Sequence, residues 1–86
     1  MARKLSWANE AWDDYLYWQK NDPKILARIN ELIKASMRTP FTGIGKPERL
    51  KGDLSGFVSR RINQEHRLIY TVDNDTLLIA QCRYHY

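Results

Sequence analysis

The 86-residue chain predicts an α+β fold, a small antiparallel β-sheet with two N-terminal helices packed on one face. Three observations carry this. Apolar residues recur at helical spacing through the first forty positions. From about residue 57 the pattern shifts to two-residue alternation. Turn clusters such as Asp73-Asn74-Asp75 then separate short apolar runs, as in an antiparallel meander. No internal repeat or low-complexity tract interrupts this order, and the length suits one domain over residues 1–86.

Lys4 to Trp7 reads as a short strand. Glu10 to Lys20 follows as a helix, with Ala11, Tyr15 and Trp18 near one face, Trp12 and Leu16 beside it, and Asp13, Asp14 and Gln19 mostly away from it. Asn9 is the expected N-cap. Asp22-Pro23 is a sharper start signal: the aspartate caps and the proline takes the first helical position. The second helix is expected to run to about Ser36 with Ile25, Ile29, Leu32 and Ile33 as its buried stripe, antiparallel to the first. Two prolines and two glycines between Arg38 and Pro47 end the periodicity and predict a loop, with Phe41 as its link to the core. The glycines lack the spacing of a phosphate-binding loop.

Glu48 to Lys51 reads as a short strand, Phe57 to Asn63 as the next, His66 to Val72 as another, and Thr76 to about His85 as the last. Alternation puts Leu78, Ala80, Cys82 and Tyr84 on one face of the last strand and Gln81, Arg83 and His85 on the other. The helices are expected to cover Leu68 and Tyr70 together with Leu78, Ala80 and Cys82. Arg61, Arg67 and His85 then share the opposite face, with Arg67 near His85, provided the register does not slip.

The net charge is +4 and unevenly placed: residues 38–72 carry seven basic and three acidic side chains. That suits a polyanionic partner, nucleic acid or an acidic protein segment. A single cysteine, Cys82, excludes a disulfide framework and a cysteine-rich zinc site. No apolar run approaches membrane length, and Met-Ala-Arg-Lys-Leu does not open a signal peptide, so a cytoplasmic protein with no membrane partner is expected.

Adding Glu48 and Lys51 to Arg61, Arg67 and His85 gathers one carboxylate, one imidazole and several permanent cations. Such a set suits cleavage of an RNA phosphodiester: a base takes the ribose 2′-OH proton, an acid protonates the leaving 5′-oxygen, and arginine stabilises charge on the phosphoryl oxygens. Tyr86 is placed to stack on a base or touch a phosphate. No cofactor or metal is required, and one Glu with one His makes a poor metal site. Each residue also has a plainer reading: His85 as a terminal residue, Arg67 as a sheet-surface cation, Glu48 as a solvated carboxylate, His66 as a structural group at a hairpin end. Arg60 and Arg61 face opposite ways, so at most one lines the site.

Several separated motifs resemble the YoeB family of type II toxin–antitoxin toxins, within the RelE/ParE superfamily. They are Trp12-Asp13-Asp14-Tyr15-Leu16-Tyr17-Trp18-Gln19, Arg38-Thr39-Pro40-Phe41, Gly45-Lys46-Pro47-Glu48, Leu54-Ser55-Gly56, Ser59-Arg60-Arg61-Ile62, Glu65-His66-Arg67-Leu68 with Tyr70, and Cys82-Arg83-Tyr84-His85-Tyr86. The resemblance spans essentially the whole chain. It implies a microbial-ribonuclease-like toxin fold and a ribosome-dependent endonuclease that cleaves mRNA in the ribosomal A site and stops translation. It places the general base on Glu48, the general acid on His85 and the phosphate-stabilising arginine on Arg67, with Lys51, Arg61 and Tyr86 in support. It also implies a YefM-like antitoxin with an acidic C-terminal segment, and homodimers in some members.

The chain departs from the family pattern at Ala8, Arg49 and Val58; Arg49 would add positive charge beside Glu48 and make it a weaker base. Two other functions fit the same scaffold: a toxin of this fold acting on a non-ribosomal target, and a non-catalytic basic regulatory protein. The first would not need Glu48, Arg67 and His85 together, and the second predicts that His85→Ala leaves activity intact.

Overall fold

A computed structural model describes residues 3–84. The elements follow in the order β1 (Lys4–Trp7), α1 (Asn9–Asn21), α2 (Pro23–Arg38), β2 (Glu48–Arg49), a 3-10 turn (Gly52–Leu54), β3 (Phe57–Arg61), β4 (Arg67–Val72) and β5 (Thr76–Gln81). The sheet order is β1-β5-β4-β3-β2. β2 to β5 form the antiparallel meander, and β1 adds to β5 in parallel at the edge. The α+β architecture is the expected one, with the parallel edge strand as its refinement.

Helix starts follow capping chemistry. The Asp22 carboxylate accepts from the Lys24 and Ile25 backbone N–H groups, both at 3.2 Å, and Pro23 follows it as the first residue of α2. Asn9 is not a cap. Ala8 holds that position without a side-chain hydrogen bond, and Asn9 is already helical. Ile29, Leu32 and Ile33 of α2 are buried with Ala11 and Trp18 of α1 against Val58, Leu68, Tyr70, Leu77, Ile79 and Cys82. Ile25 and Tyr15 pack at the margin, whereas Trp12 and Leu16 are exposed.

The last strand departs from simple alternation. The helices cover Leu77 and Ile79, not Leu78 and Ala80, yet they also cover Cys82. Register explains both. Tyr70 pairs with Ile79 but Ile69 pairs with Gln81, so Ala80 is an extra residue, a β-bulge. One inserted residue reverses the parity of everything after it, and Cys82 turns inward where odd-numbered positions had done so before.

Loop 39–47 is held differently from expectation. Phe41 is 44% exposed and does not enter the core. Arg60 ties the loop down instead. It lies on the helix-covered face, opposite Leu68, with no exposure at all. Its guanidinium donates to the carbonyls of Thr39 (2.5 Å), Thr42 (2.9 Å) and Ile44 (2.8 Å), and its Nε donates to the Tyr70 hydroxyl (2.9 Å). No carboxylate of the described residues is bonded to it. Carbonyl oxygens at and beyond the C-terminus of α2, the negative end of the helix dipole, take that role. Gly45 closes the loop with φ of 82°; a Cβ there would lie 2.7 Å from Leu32 Cδ2. Its carbonyl accepts from Arg61 N–H at 2.7 Å, so loop and β3 are stitched directly before Glu48.

Candidate active site

The register of β2 to β5 arranges the sheet face away from the helices in rows. Glu48 pairs with Ser59, Ser59 with Ile69, and Ile69 with Gln81. One step along β3, Arg61 stands directly opposite Arg67. The face therefore carries one carboxylate beside a pair of facing cations. Like charges directly opposite each other are unfavourable alone, and an anion lying between them relieves that repulsion.

The three side chains differ in how they are held. Glu48 and Arg61 are exposed, and Arg67 is half-buried. Arg67 Nη1 donates to the carbonyls of Asn63 (2.6 Å), Gln64 (3.2 Å) and His66 (3.1 Å), so one edge of its guanidinium is braced by the β3–β4 turn. Asn63 shapes that turn by accepting from the Glu65 and His66 N–H groups at 2.9 and 2.7 Å. Lys51 is exposed after β2, outside the paired residues of the ladder, and no described contact joins it to the row. Arg60 is excluded from the face by its burial, as the opposite facing of Arg60 and Arg61 requires. Arg49, adjacent to Glu48, pairs with Val58 and lays its guanidinium 4.1 Å from the Phe41 ring centre. It thus points to the other side of the strand from Glu48.

Residues 82–84, which follow β5, are held by α1 and by the start of β4. Trp18 Nε1 donates to the Cys82 carbonyl (2.8 Å), and the Asp14 carboxylate accepts from Cys82 N–H (3.1 Å). The Cys82 thiol, buried and near the Asp14 charge, is pushed up to about 12 and stays protonated. It is a core group, as its surroundings in sequence suggest. Arg83 lies 3.5 Å from the Tyr17 ring centre and 4.6 Å from that of Tyr84. Tyr84 N–H donates to His66 Nδ1 at 2.7 Å, and Arg67 N–H donates to the Tyr84 carbonyl at 3.0 Å. His85 and Tyr86 lie outside the described residues. The expected approach of Arg67 to His85 therefore falls outside the described residues; the last residue described, Tyr84, is bonded to the Arg67 backbone.

Sequence reasoning missed Asp14 as a contact of the tail and His66 as its acceptor. The helical pattern put Asp14 away from the buried face, and only the tertiary path of residues 82–84 gives it a partner. Among the described residues no three His, Cys, Asp or Glu side chains cluster as a metal site would require, and no helix is long and apolar enough to cross a membrane.

Comparison with known proteins agrees with this fold. Residues 7–86 match the family model described as YoeB-like toxin of bacterial type II toxin-antitoxin system. The chain is 66% identical over 83 residues to Toxin YoeB of Escherichia coli (strain K12), covering 96% of this chain and 99% of that protein. It is similar to the YoeB dimer from Staphylococcus aureus, with 49% identity, a TM-score of 0.92 and full coverage of both chains, 100% each. It is also similar to the toxin in the heterotetrameric YoeB-YefM toxin-antitoxin complex from the same organism, with 49% identity, a TM-score of 0.90 and 100% coverage of both chains. A carboxylate beside facing arginines, on a sheet of this topology and with similarity along nearly the whole chain, leaves one assignment: the chain belongs to the YoeB-like toxins of bacterial type II toxin–antitoxin systems.

Proposed function

We propose that this toxin is a ribosome-dependent mRNA endonuclease that cuts mRNA in the ribosomal A site and thereby inhibits translation. The observation that carries the reading is the row geometry: Glu48 lies on the same sheet face as the opposed pair Arg61 and Arg67, and the tail is hydrogen-bonded to Arg67 at Tyr84. In this reaction Glu48 takes the proton from a ribose 2′-OH. The 2′-oxygen forms a bond to the adjacent phosphorus as the bond to the 5′-oxygen breaks, and His85 gives that oxygen its proton. The products are a 2′,3′-cyclic phosphate and a 5′-hydroxyl. Arg67 stabilises the added charge on the phosphoryl oxygens, its fork already oriented by the turn carbonyls. Arg61 and Lys51 support the phosphate backbone electrostatically, and Tyr86 contacts the substrate near the reacting nucleotide. The acid–base set needs no metal or cofactor.

The basic stretch 38–72 also fits an acidic antitoxin segment, and the similar Staphylococcus aureus toxin forms a complex with YefM and a dimer. A YefM-like antitoxin and a second copy of the chain are accordingly its proposed protein partners.

Primer extension on translated mRNA, with and without ribosomes, tests the reading. Wild-type protein is expected to give cuts at positions set by the ribosome. His85→Ala is expected to lose them by roughly two to four orders of magnitude, the usual worth of a general acid, while still binding ribosomes. Undiminished cutting by His85→Ala overturns the assignment of the acid.

A further inference from the structure

His66 lies outside the acid–base set yet is the most elaborately placed of the titratable groups near it. Its side chain is nearly closed off from solvent, with 6% of the residue exposed. The ring stands edge-on to Trp18, 4.8 Å between centres, and Trp18 itself holds the tail through the Cys82 carbonyl. Its Nδ1 accepts the Tyr84 N–H at 2.7 Å. A backbone amide can only donate, so Nδ1 carries no proton and the ring is the Nε2–H tautomer. Nε2 lies 3.6 Å from a Glu65 carboxylate oxygen, the group that favours a proton on that side.

The bond has a job to do at Tyr84. That residue has φ of 64°, the left-handed region that a bulky side chain rarely enters. Two hydrogen bonds enforce the turn: the Tyr84 N–H donates to His66 Nδ1, and the Tyr84 carbonyl accepts from the Arg67 N–H. Arg67 thus both faces the proposed phosphate site and holds the residue immediately before the proposed acid.

We propose that His66 is a positioning residue for cleavage: as a neutral Nε2–H imidazole it fixes the left-handed turn at Tyr84 and so sets how the chain enters residue 85. The inference rests on the ribonuclease reading above. His66 touches no substrate; it acts through the tail. A proton-transfer group is sensitive to displacements of about 1 Å, so loosening this turn slows the chemical step and leaves substrate binding largely intact.

Two substitutions separate positioning from packing. His66→Phe keeps a ring against Trp18 and removes the acceptor. His66→Asn loses the ring but places an amide oxygen near the position of Nδ1. In cleavage on programmed ribosomes, His66→Phe is expected to lower kcat by about 10- to 100-fold with KM changed by no more than about twofold, and His66→Asn to recover most of that loss. Wild-type kcat in His66→Phe, or equal losses in both variants, overturns the proposal. Exchange of the Tyr84 backbone amide supplies a readout independent of catalysis: protection is expected in wild type and is expected to vanish in His66→Phe, and retained protection overturns the proposed bond. Should either variant fail to fold, nitrogen NMR of wild-type His66 decides: an unprotonated Nδ1 supports the proposal and a protonated Nδ1 refutes it. His85→Ala run alongside distinguishes the two layers. Full cleavage there removes the ribonuclease reading and the catalytic role of His66 with it, while amide exchange still judges the bond on its own.

Discussion

Asp14 shows what a single residue contributes once the tail is in place. Its carboxylate accepts the Cys82 N–H, and burial raises its pKa above the ordinary value of 3.8, opposed by that hydrogen bond and by Arg83. A carboxyl raised on folding means that the folded chain binds more protons than the unfolded one. Its stabilising contribution is therefore complete below the unfolded value and is lost as pH rises through the folded one. Asp14→Asn keeps an oxygen acceptor and removes the charge. In urea denaturation at several pH values, wild type is expected to lose stability relative to Asp14→Asn as pH rises from about 3 toward neutrality. A relative gain would show that Arg83 outweighs desolvation. Asp73, held low by N–H donors from Asp75 and Thr76, works in the opposite sense, losing stabilisation as pH falls. It is common to both proteins and cancels in the comparison. At this scale the sequence was only partly legible. Asp22 announced its cap because its partners are two and three residues away, whereas Asp14 and His66 find theirs 68 and 18 positions away in the chain.

At the scale of elements, Arg60 joins β3 to the loop that leads into Glu48. Removing its guanidinium strands three carbonyls and leaves a cavity in the core. Arg60→Leu is expected to destabilise the fold by about 3 kcal/mol, with Arg60→Lys recovering only part because an ammonium group cannot span the same acceptors. Urea midpoints measure this; a change below about 0.5 kcal/mol would show that the loop is held by something else. The element order, both helices and the turns were readable because each rests on local periodicity or turn chemistry. The inner face of β5 was not. Alternation fails at a bulge, and the extra residue at Ala80 is visible only in its pairing with β4. Phe41 misled for a related reason: an aromatic in a loop suggests burial, but Arg60 already occupies the space beneath the loop, and Phe41 instead packs under Arg49.

On the scale of the whole molecule, the helices close one face of the sheet and leave the other to carry charge. Three strands, β2, β3 and β4, bring residues 48, 61 and 67 onto that open face, while α1, His66 and the start of β4 hold residues 82–84 at the sheet's end. Of the basic residues between 38 and 72, Arg61 and Arg67 are thereby paired on this face, a local positive field for a polyanion. Motif resemblance made Glu48, Arg67 and His85 legible in the sequence; strand pairing supplies the physical reason that the first two share a face. The central claim is that this face promotes attack by the 2′-hydroxyl of the substrate itself. The most direct measurement is cleavage, on programmed ribosomes, of an mRNA carrying a single 2′-deoxy nucleotide at the scissile position. Loss of cutting at that position, with neighbouring ribosome occupancy unchanged, is the result the proposed chemistry requires; cutting at the rate of the all-ribose message would contradict it.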